Sequence, residues 1–187
     1  MRHRGPETSH HWESQNGLIA LGHNRLSLIG IDNGLQPIFS EDKSVVIVVN
    51  GEFYNYKTIK RNLEKKGHLF HTETDSEILI PLYREYGVKC LDHLNGEFAF
   101  ILWDNKNKLF FAARDRFGIK PLFYSQYKDA FLFASEIKAI LAMGAPAQWN
   151  DIAFLNFSSG LPNQKTTLFK GINLVKPGHH ILIKNGQ

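Results

Sequence analysis

The feature that most constrains the fold is the short spacing between successive apolar segments. Residues 98–103 and 109–113 flank a turn-forming cluster that begins at Asp104, and residues 122–125 and 131–134 flank a second polar stretch. Connections this short join strands as antiparallel hairpins, because a parallel pair needs a crossover of about a dozen residues or more. The spacing therefore predicts antiparallel sheets.

Local composition predicts two further strands, and residues typical of helix ends predict three helices. The β-branched run 45–49 predicts a buried strand, and residues 181–183 predict a last one. Helices are predicted after Asn55, after Thr74 and after Ser135. Because the helices lie in runs separate from the strands, the pattern predicts an α+β fold.

The helix ends carry specific expectations. Asn55 is expected to cap the first helix, which ends with Gly67 at C′. The sequence Thr74-Asp75-Ser76-Glu77 fits a capping box. Pro81 is expected to kink the second helix. Ser135 is expected to cap residues 136–143, with Gly144 ending that helix.

Composition excludes several classes of protein. Of 187 residues 43% are hydrophobic, which is enough for a core. No run approaches about 18 apolar residues and no apolar leader is present, so neither a membrane partner nor a secretory signal is expected. The single cysteine, Cys90, fits a reducing compartment, so the cytoplasm is predicted. The net charge is +4, but the basic residues do not cluster with aromatics, so no nucleic-acid partner is expected.

A few polar residues allow a structural and a chemical interpretation. Asn50-Gly51 is a common turn dipeptide, but an amide and a neighbouring glycine N–H can also form an oxyanion hole. Arg25 suits either a surface ion pair or a bidentate clamp on a carboxylate. Asp75 suits either the first turn of a helix or recognition of an ammonium group. Taken singly, each residue leaves both interpretations open.

The ordered set of motifs resembles the glutaminase domain of glutamine-hydrolysing asparagine synthetase, a class II glutamine amidotransferase. In chain order the motifs are Arg2-His3-Arg4-Gly5-Pro6, residues 23–29, Gln36-Pro37, residues 50–55, residues 74–78, residues 94–100, Asp104, residues 114–124 and residues 133–139. Residues 167–172 and 177–179 resemble the stretch that leads into the synthetase domain of that family. The likeness divides the chain into an amidotransferase domain over residues 1–145 and a C-terminal part and connector over residues 146–187.

The resemblance implies a fold and a chemistry. The fold is the N-terminal-nucleophile hydrolase type, an αββα sandwich of two antiparallel sheets between helical layers. In the family a cysteine attacks the side-chain amide of glutamine, and the released ammonia passes to a synthetase site that amidates aspartate with ATP. No cofactor is implied for this chain, and ATP and Mg²⁺ are expected only in a synthetase domain.

Site residues carry over position by position. Asn50 and Gly51 match the oxyanion hole. Arg25 matches the clamp on the α-carboxylate of glutamine, and Leu26 and Ser27 beside it match substrate-binding positions. Glu52 and Asp75 match the positions that hold the α-amino group. The resemblance implies no metal ligand.

One departure concerns the nucleophile. The family carries a cysteine at its mature N-terminus, whereas this chain begins with Met1 and its cysteine is Cys90, just after a helix. No amine is near Cys90 to act as a base, so Cys90 is expected to be a small buried apolar residue. The expectation is a chain truncated at both ends that is inactive by itself, with an N-terminal strand missing from a sheet. The alternatives are a non-catalytic module that binds glutamine or a partner, and an amidotransferase with a different acceptor. A synthetase domain or subunit and a second copy of the chain are the partners left open.

Overall fold

The computed structural model describes residues 1–26, 34–161 and 166–186, which form antiparallel sheets and helices. The strands are β1 Thr8–Glu13, β2 Ala20–Arg25, β3 Ile38–Phe39, β4 Val45–Phe53, β5 Gly96–Asp104, β6 Leu109–Arg114, β7 Phe123–Tyr127, β8 Ala130–Ala134, β9 Ile172–Leu174 and β10 His180–Lys184. The α-helices are α1 Tyr56–Glu64, α2 Leu79–Tyr86, α3 Ile137–Ala142 and α4 Asp151–Ser158. The 3-10 helices are Arg2–Arg4, Asp75–Ile78 and Gly87–His93.

All strand pairs within these sheets are antiparallel, as the short connections predict. A five-stranded sheet has the order β10-β6-β5-β4-β3, and a three-stranded sheet has the order β8-β7-β9. Strands β1 and β2 form a separate hairpin. The predicted strands at 45–49, 98–103, 109–113, 131–134 and 181–183 lie within β4, β5, β6, β8 and β10, and the one at 122–125 overlaps β7.

The central strand β4 is buried on both faces, and this explains its unbroken β-branched sequence. Val45, Ile47 and Val49 pack with buried residues of α1 and α2. Val46 and Val48 point to the opposite face, where they join a second apolar cluster with Leu21 of the hairpin and Leu122. Alternation along β4 therefore decides which side chains meet the helices and which meet the second sheet layer.

The second layer consists of the hairpin and the three-stranded sheet, and helix α3 covers its far side. Tyr124 and Phe133 of the three-stranded sheet pack against the cluster on the second face of the large sheet. Ile140 of α3 is fully buried against the other face of the small sheet. The layers run helix, sheet, sheet, helix, which confirms the αββα sandwich, with its second sheet layer divided between two pieces.

The segment after residue 145 contributes to both sheets. Strand β9 pairs with β7, and β10 pairs with β6 at the edge of the five-stranded sheet. Ile172 and Val175 are buried. Within the described ranges, no helix has the length and apolar character needed to cross a membrane.

Asn55 occupies the predicted N-cap position of α1, whereas the N-cap of α3 is Glu136 and not the predicted Ser135. Neither Asn55 nor Ser135 makes a side-chain capping bond, because tertiary contacts use both side chains instead. The side-chain amide of Asn55 donates to the His93 carbonyl and accepts from the Asn95 N–H. These bonds tie the start of α1 to the residues just before β5. Ser135 makes no capping bond to α3, and its hydroxyl contacts the Met1 sulfur. Gly67 has the expected positive φ, but it lies one residue beyond C′.

The second helix differs from the expectation in its first turns. Thr74 caps the 3-10 helix by accepting from the Ser76 N–H, but Glu77 turns away and accepts from the backbone of His71 and Thr72. The capping box is therefore half formed. Pro81 lies in the first turn of α2, after the change from 3-10 to α geometry, where a missing N–H costs little. Pro81 thus lies near the start of an α-helix and not in the middle of one, and the predicted kink stays a prediction.

Candidate functional site

The candidate site lies at the C-terminal end of β4, whose edge facing β3 continues away from the site towards Val45. Along this whole edge, side chains accept hydrogen bonds from the outward N–H groups. Ser40 Oγ accepts from the Val45 N–H at 2.9 Å, and Gln36 Oε1 accepts from the Val49 N–H at 2.6 Å. Asp75 Oδ2 accepts from the Phe53 N–H at 2.7 Å. Alternation directs the Gly51 N–H to the same edge, between the positions held by Gln36 and Asp75.

Asn50 supplies a second donor beside Gly51. It pairs in register with Ala99, whose side chain belongs to the cluster between the two sheet layers, so the Asn50 side chain faces that side too. Its Nδ2 is buried and has no hydrogen-bond partner among the described residues. A buried donor without a partner is costly and marks a place where a ligand oxygen fits.

Gly51 is required by the backbone. Its φ is +140°, a conformation that residues with a Cβ rarely adopt, and an added Cβ would overlap the Glu97 carbonyl oxygen of β5. Gly51 is exposed, so its N–H is open to a bound molecule. Asn50 and Gly51 can together bind an oxygen that gains negative charge during acyl transfer.

Two carboxyl groups lie next to this edge. Asp75 is buried, and burial raises its pKa, while the bond from the Phe53 N–H opposes this rise and the charge of Glu52 adds to it. Glu52 faces Glu97 across β4 and β5, and Lys120 forms an ion pair with Glu97 at 3.0 Å. The negative charges of Asp75 and Glu52 together provide a favourable place for an ammonium group.

Arg25 lies at the end of β2, on the face of the hairpin that points at β4. Leu21 and His23 share this face by alternation, and His23 Nε2 contacts the Val49 carbonyl at 3.1 Å. Arg25 itself is buried. Gly5 packs directly on the backbone of Asn24 and Arg25, where a Cβ would overlap the Asn24 carbonyl oxygen. The segment before β1 thus fixes the backbone that carries Arg25.

The hairpin and β4 enclose polar atoms that lack partners within the described residues. Besides Asn50 Nδ2, the buried atoms Thr8 Oγ1 and His23 Nδ1 have no hydrogen-bond partner. Burial lowers the pKa of His23, and the nearby Arg25 and His10 act in the same direction. A neutral His23 donates from Nε2 to the carbonyl and leaves Nδ1 as an acceptor. The hairpin and β4 therefore each place unpartnered polar atoms at the rim of the apolar cluster between the layers.

The remaining predicted positions have different outcomes. Leu26 is exposed at the end of β2, and Ser27 lies outside the described residues. The structure puts Asn50, Gly51 and Glu52 on β4, while Asp75 contacts β4 and Arg25 is on the strand that faces it. Their joint role in binding a substrate stays a prediction. In the ranges that the structure describes, no group of three or more histidine, cysteine or acidic residues could hold a metal ion.

Cys90 does not belong to this site. It is fully buried in the cluster beneath the helices, on the other face of the large sheet from the Asn50 side chain. Burial raises the pKa of its thiol to about 12, so the thiol stays protonated at neutral pH. The expectation that Cys90 acts as a small buried apolar residue is confirmed.

Sequence reasoning assigned no role to Gln36 or His23, although both lie within recognised motifs. Their contacts are with the Val49 backbone, and a strand register is needed to see them. A glutamine before a proline gives no signal that its side chain will pair with a strand.

Comparisons with known proteins give matches over nearly the whole chain. A family model described as a glutamine amidotransferase domain matches residues 1–187. An asparagine synthetase [glutamine-hydrolyzing] 3 of Bacillus subtilis is 41% identical over 94% of this chain and 29% of its own length. The amidase chry2 of Gibberella zeae is 40% identical over 99% of this chain and 27% of its own length. The chain thus spans less than a third of the length of these relatives.

Solved structures show the same fold. The glutamine phosphoribosylpyrophosphate amidotransferase of B. subtilis superposes with a TM-score of 0.62 and 25% identity, over 89% of this chain and 33% of that one. A structure described as the allosteric regulatory enzyme of purine biosynthesis gives a TM-score of 0.65 at the same identity.

Proposed function

Because this chain belongs to the glutamine amidotransferase domain family, we propose that it is the part of a larger asparagine synthetase that binds and hydrolyses glutamine. Its fold is that of the N-terminal-nucleophile hydrolase amidotransferases. The observation that carries the proposal is the pair of donors at Asn50 and Gly51 on the open edge of β4.

Each end of a glutamine molecule has a chemical counterpart in the site. Arg25 is suited to hold the α-carboxylate, because a guanidinium binds a carboxylate with two parallel hydrogen bonds. Glu52 and Asp75 are suited to hold the α-ammonium group. The side-chain carbonyl then lies at Asn50 Nδ2 and the Gly51 N–H. Leu26 and Ser27 adjoin Arg25 in sequence and complete the proposed binding set.

The chemistry is acyl transfer through a thioester. A cysteine thiolate adds to the side-chain carbonyl carbon, and the oxygen takes up negative charge that Asn50 and Gly51 stabilise. On collapse of this intermediate the C–N bond breaks, the leaving nitrogen takes up the proton that the general base removed from the thiol, and ammonia leaves behind a thioester. Water then attacks the thioester, which frees glutamate and returns the proton to the thiol. Cys90 does not supply the thiolate, since it is buried elsewhere with a raised pKa. We expect a protein of these 187 residues alone to bind glutamine without turning it over.

The acceptor of the ammonia lies outside this chain. Three asparagine synthetases of B. subtilis are between 35% and 41% identical to this chain, and this favours aspartate as the acceptor of the ammonia. ATP and Mg²⁺ would then bind in a synthetase domain. The amidases chry2 and chyE are each 40% identical over 99% of the chain, and this favours a different acceptor as the second candidate. A synthetase domain is the proposed partner. The cytoplasm is the proposed location, because a single cysteine fits a reducing compartment.

Calorimetric titration with L-glutamine tests the proposal. Wild-type protein is expected to bind L-glutamine more tightly than L-asparagine, whose shorter side chain does not reach the Asn50 and Gly51 donors. Arg25→Lys is expected to weaken binding about tenfold or more, because an ammonium cannot make the bidentate contact. Arg61→Lys on exposed α1 is the matched control and should bind as wild type does. Absence of glutamine binding by wild type would overturn the proposed function.

A pH series separates the role of Asp75 in binding from its role in folding. Burial raises the pKa of Asp75, so this carboxyl is protonated at higher pH than an ordinary aspartate. Glutamine affinity should therefore fall as the pH drops towards that raised pKa, and Asp75→Asn should be weak at every pH. The stability that a raised pKa confers is present at low pH and lost as pH rises through it. Asp75→Asn should thus lose binding at pH 7 without a lower Tm, whereas a parallel loss of both would contradict the assignment.

A further inference from the structure

Gln36 holds the backbone of Val49 with both ends of its side-chain amide. Its Nε2 donates to the Val49 carbonyl at 3.0 Å, and its Oε1 accepts from the Val49 N–H at 2.6 Å. This arrangement copies the two bonds that a residue on a paired antiparallel strand would make.

The register of the neighbouring strands explains why a side chain does this. Ile38 pairs with Ile47, and Phe39 pairs with Val46, so the continued register places Gln36 opposite Val49. Backbone pairing between β3 and β4 begins at Ile38, the first residue of β3. Before Ile38, the side-chain amide of Gln36 makes the hydrogen bonds to β4 that the main chain would make in a longer strand. At the other end of the same edge, Ser40 Oγ takes the Val45 N–H.

The peptide group whose carbonyl Gln36 holds joins Val49 to Asn50. Because a peptide unit is planar, fixing the Val49 carbonyl fixes the plane that contains the Asn50 nitrogen. His23 donates a second hydrogen bond to the same carbonyl at 3.1 Å. Asp75 holds the Phe53 N–H on the far side of Gly51. The backbone of the two oxyanion donors is thus fixed from both directions.

We propose that Gln36 is a positioning residue for the oxyanion hole, which sets the direction of the Asn50 amide and the Gly51 N–H through its clamp on Val49. This inference rests on the proposed function, since it concerns recognition of the side-chain carbonyl of glutamine. It assigns to Gln36 no contact with the substrate. His23 supports the same carbonyl as the second donor.

The test compares two ligands that differ at the side-chain carboxamide. L-norvaline carries the α-ammonium and α-carboxylate groups of glutamine, but a methyl group replaces the carboxamide. Gln36→Ala should lower the preference for L-glutamine over L-norvaline about tenfold, because misdirected donors lose their bond to the carbonyl. Binding of norvaline itself should be unchanged, since Arg25, Glu52 and Asp75 remain. Gln36→Glu keeps the acceptor for the Val49 N–H and loses the donor, so it should lower the preference as well.

Ser40→Ala is the matched control, because it removes a side-chain clamp from the same edge of β4 away from the site. It should leave the ligand preference unchanged. In ligand-free protein, the Asn50 side-chain and Gly51 backbone amide signals in NMR spectra should shift in Gln36→Ala and stay in place in Ser40→Ala. If Gln36→Ala does not fold, Gln36→Glu gives the same comparison.

The outcomes separate the inference from the proposed function. If wild type prefers glutamine and both Gln36 variants keep that preference, the positioning role is wrong while the function stands. Equal affinity of wild type for glutamine and norvaline would overturn the proposed function and the inference with it. Equal loss of preference in Ser40→Ala would reduce Gln36 to a general support of the strand edge and overturn the inference.

Discussion

At Gly51 two separate requirements exclude a side chain. The φ of +140° is strained for residues with a Cβ, and the Glu97 carbonyl occupies the space that a Cβ would need. Either requirement alone costs about 1–3 kcal/mol. The same glycine opens an N–H at the edge of β4, so a structural constraint and the proposed binding role coincide at one residue.

Gly51→Ala should lower the free energy of unfolding by about 3 kcal/mol or more, because both costs apply. Gly17→Ala is the matched control, since Gly17 also has a positive φ, of +68°, but an added Cβ there meets nothing within 4 Å. The control should cost only about 1 kcal/mol. Urea denaturation followed by fluorescence measures both. Equal losses in the two variants would show that the contact with Glu97 is not limiting.

Single residues were predictable where a local signal exists. Asn50-Gly51 was singled out because an amide beside a glycine can present paired donors, but the ordered motifs were needed to favour this interpretation over a turn, and its role in binding stays a prediction. Cys90 was expected to be inert because no base lies beside it in the sequence. Gln36 and His23 were assigned no role, because their partner is a backbone group on a strand distant in sequence. The raised pKa of Asp75 depends on its burial and on the charge of Glu52. Neither effect can be predicted from the residues next to Asp75 in the sequence.

Among the elements, the connection between β6 and β7 is held by its own side chains. Arg114 donates to the carbonyls of Lys120, Val175 and Gly118. Asp115 is fully buried and accepts from the N–H groups of Phe117, Ile119 and Lys120. These bonds explain why a basic and an acidic residue adjoin in a tight loop, and they fix Lys120, which pairs with Glu97 beside the candidate site.

Arg114→Lys should destabilise the protein by about 2–4 kcal/mol, because a lysine ammonium cannot serve three carbonyls that a planar guanidinium reaches together. Thermal unfolding at neutral pH provides the measurement. Arg61→Lys on the exposed surface of α1 is the control and should change stability by less than about 0.5 kcal/mol. A loss in Arg114→Lys no larger than in the control would show that these carbonyls do not depend on the guanidinium.

The elements also show where local signals fail. The six predicted strands were placed well, because β-branched runs and polar turns are local features, whereas β1, β2, β3 and β9 were not predicted. Side-chain capping bonds from Asn55 and Ser135 did not form, because both side chains bind distant groups in the folded chain. The 3-10 start of the second helix follows from Asp75 and Glu77, which bind backbone outside that helix.

For the whole molecule, the layers depend on segments from both ends of the chain. The α+β class and the αββα sandwich were predictable from spacing and from the ordered motifs. The division of the second layer into a hairpin and a three-stranded sheet was not, since it depends on pairing between β7 and β9, far apart in sequence. The boundary at residue 145 stays a prediction.

A protein ending at residue 145 tests that boundary. It would lack β9 and β10, which contribute the buried residues Ile172 and Ile183. Each large apolar residue removed costs about 2–5 kcal/mol, and a domain holds only about 5–15 kcal/mol. We expect the shortened protein to be unfolded by circular dichroism and proteolysis, while the full chain unfolds cooperatively. A folded 1–145 protein would establish the boundary and contradict this expectation.

The most direct measurement is a crystal structure of the protein with L-glutamine. Our account predicts the side-chain carbonyl oxygen within hydrogen-bond distance of Asn50 Nδ2 and the Gly51 N–H. The α-carboxylate should lie on Arg25, and the α-ammonium group near Glu52 and Asp75. Glutamine bound elsewhere, or bound in reverse with its α-carboxylate at Asn50 and Gly51, would contradict the central claim.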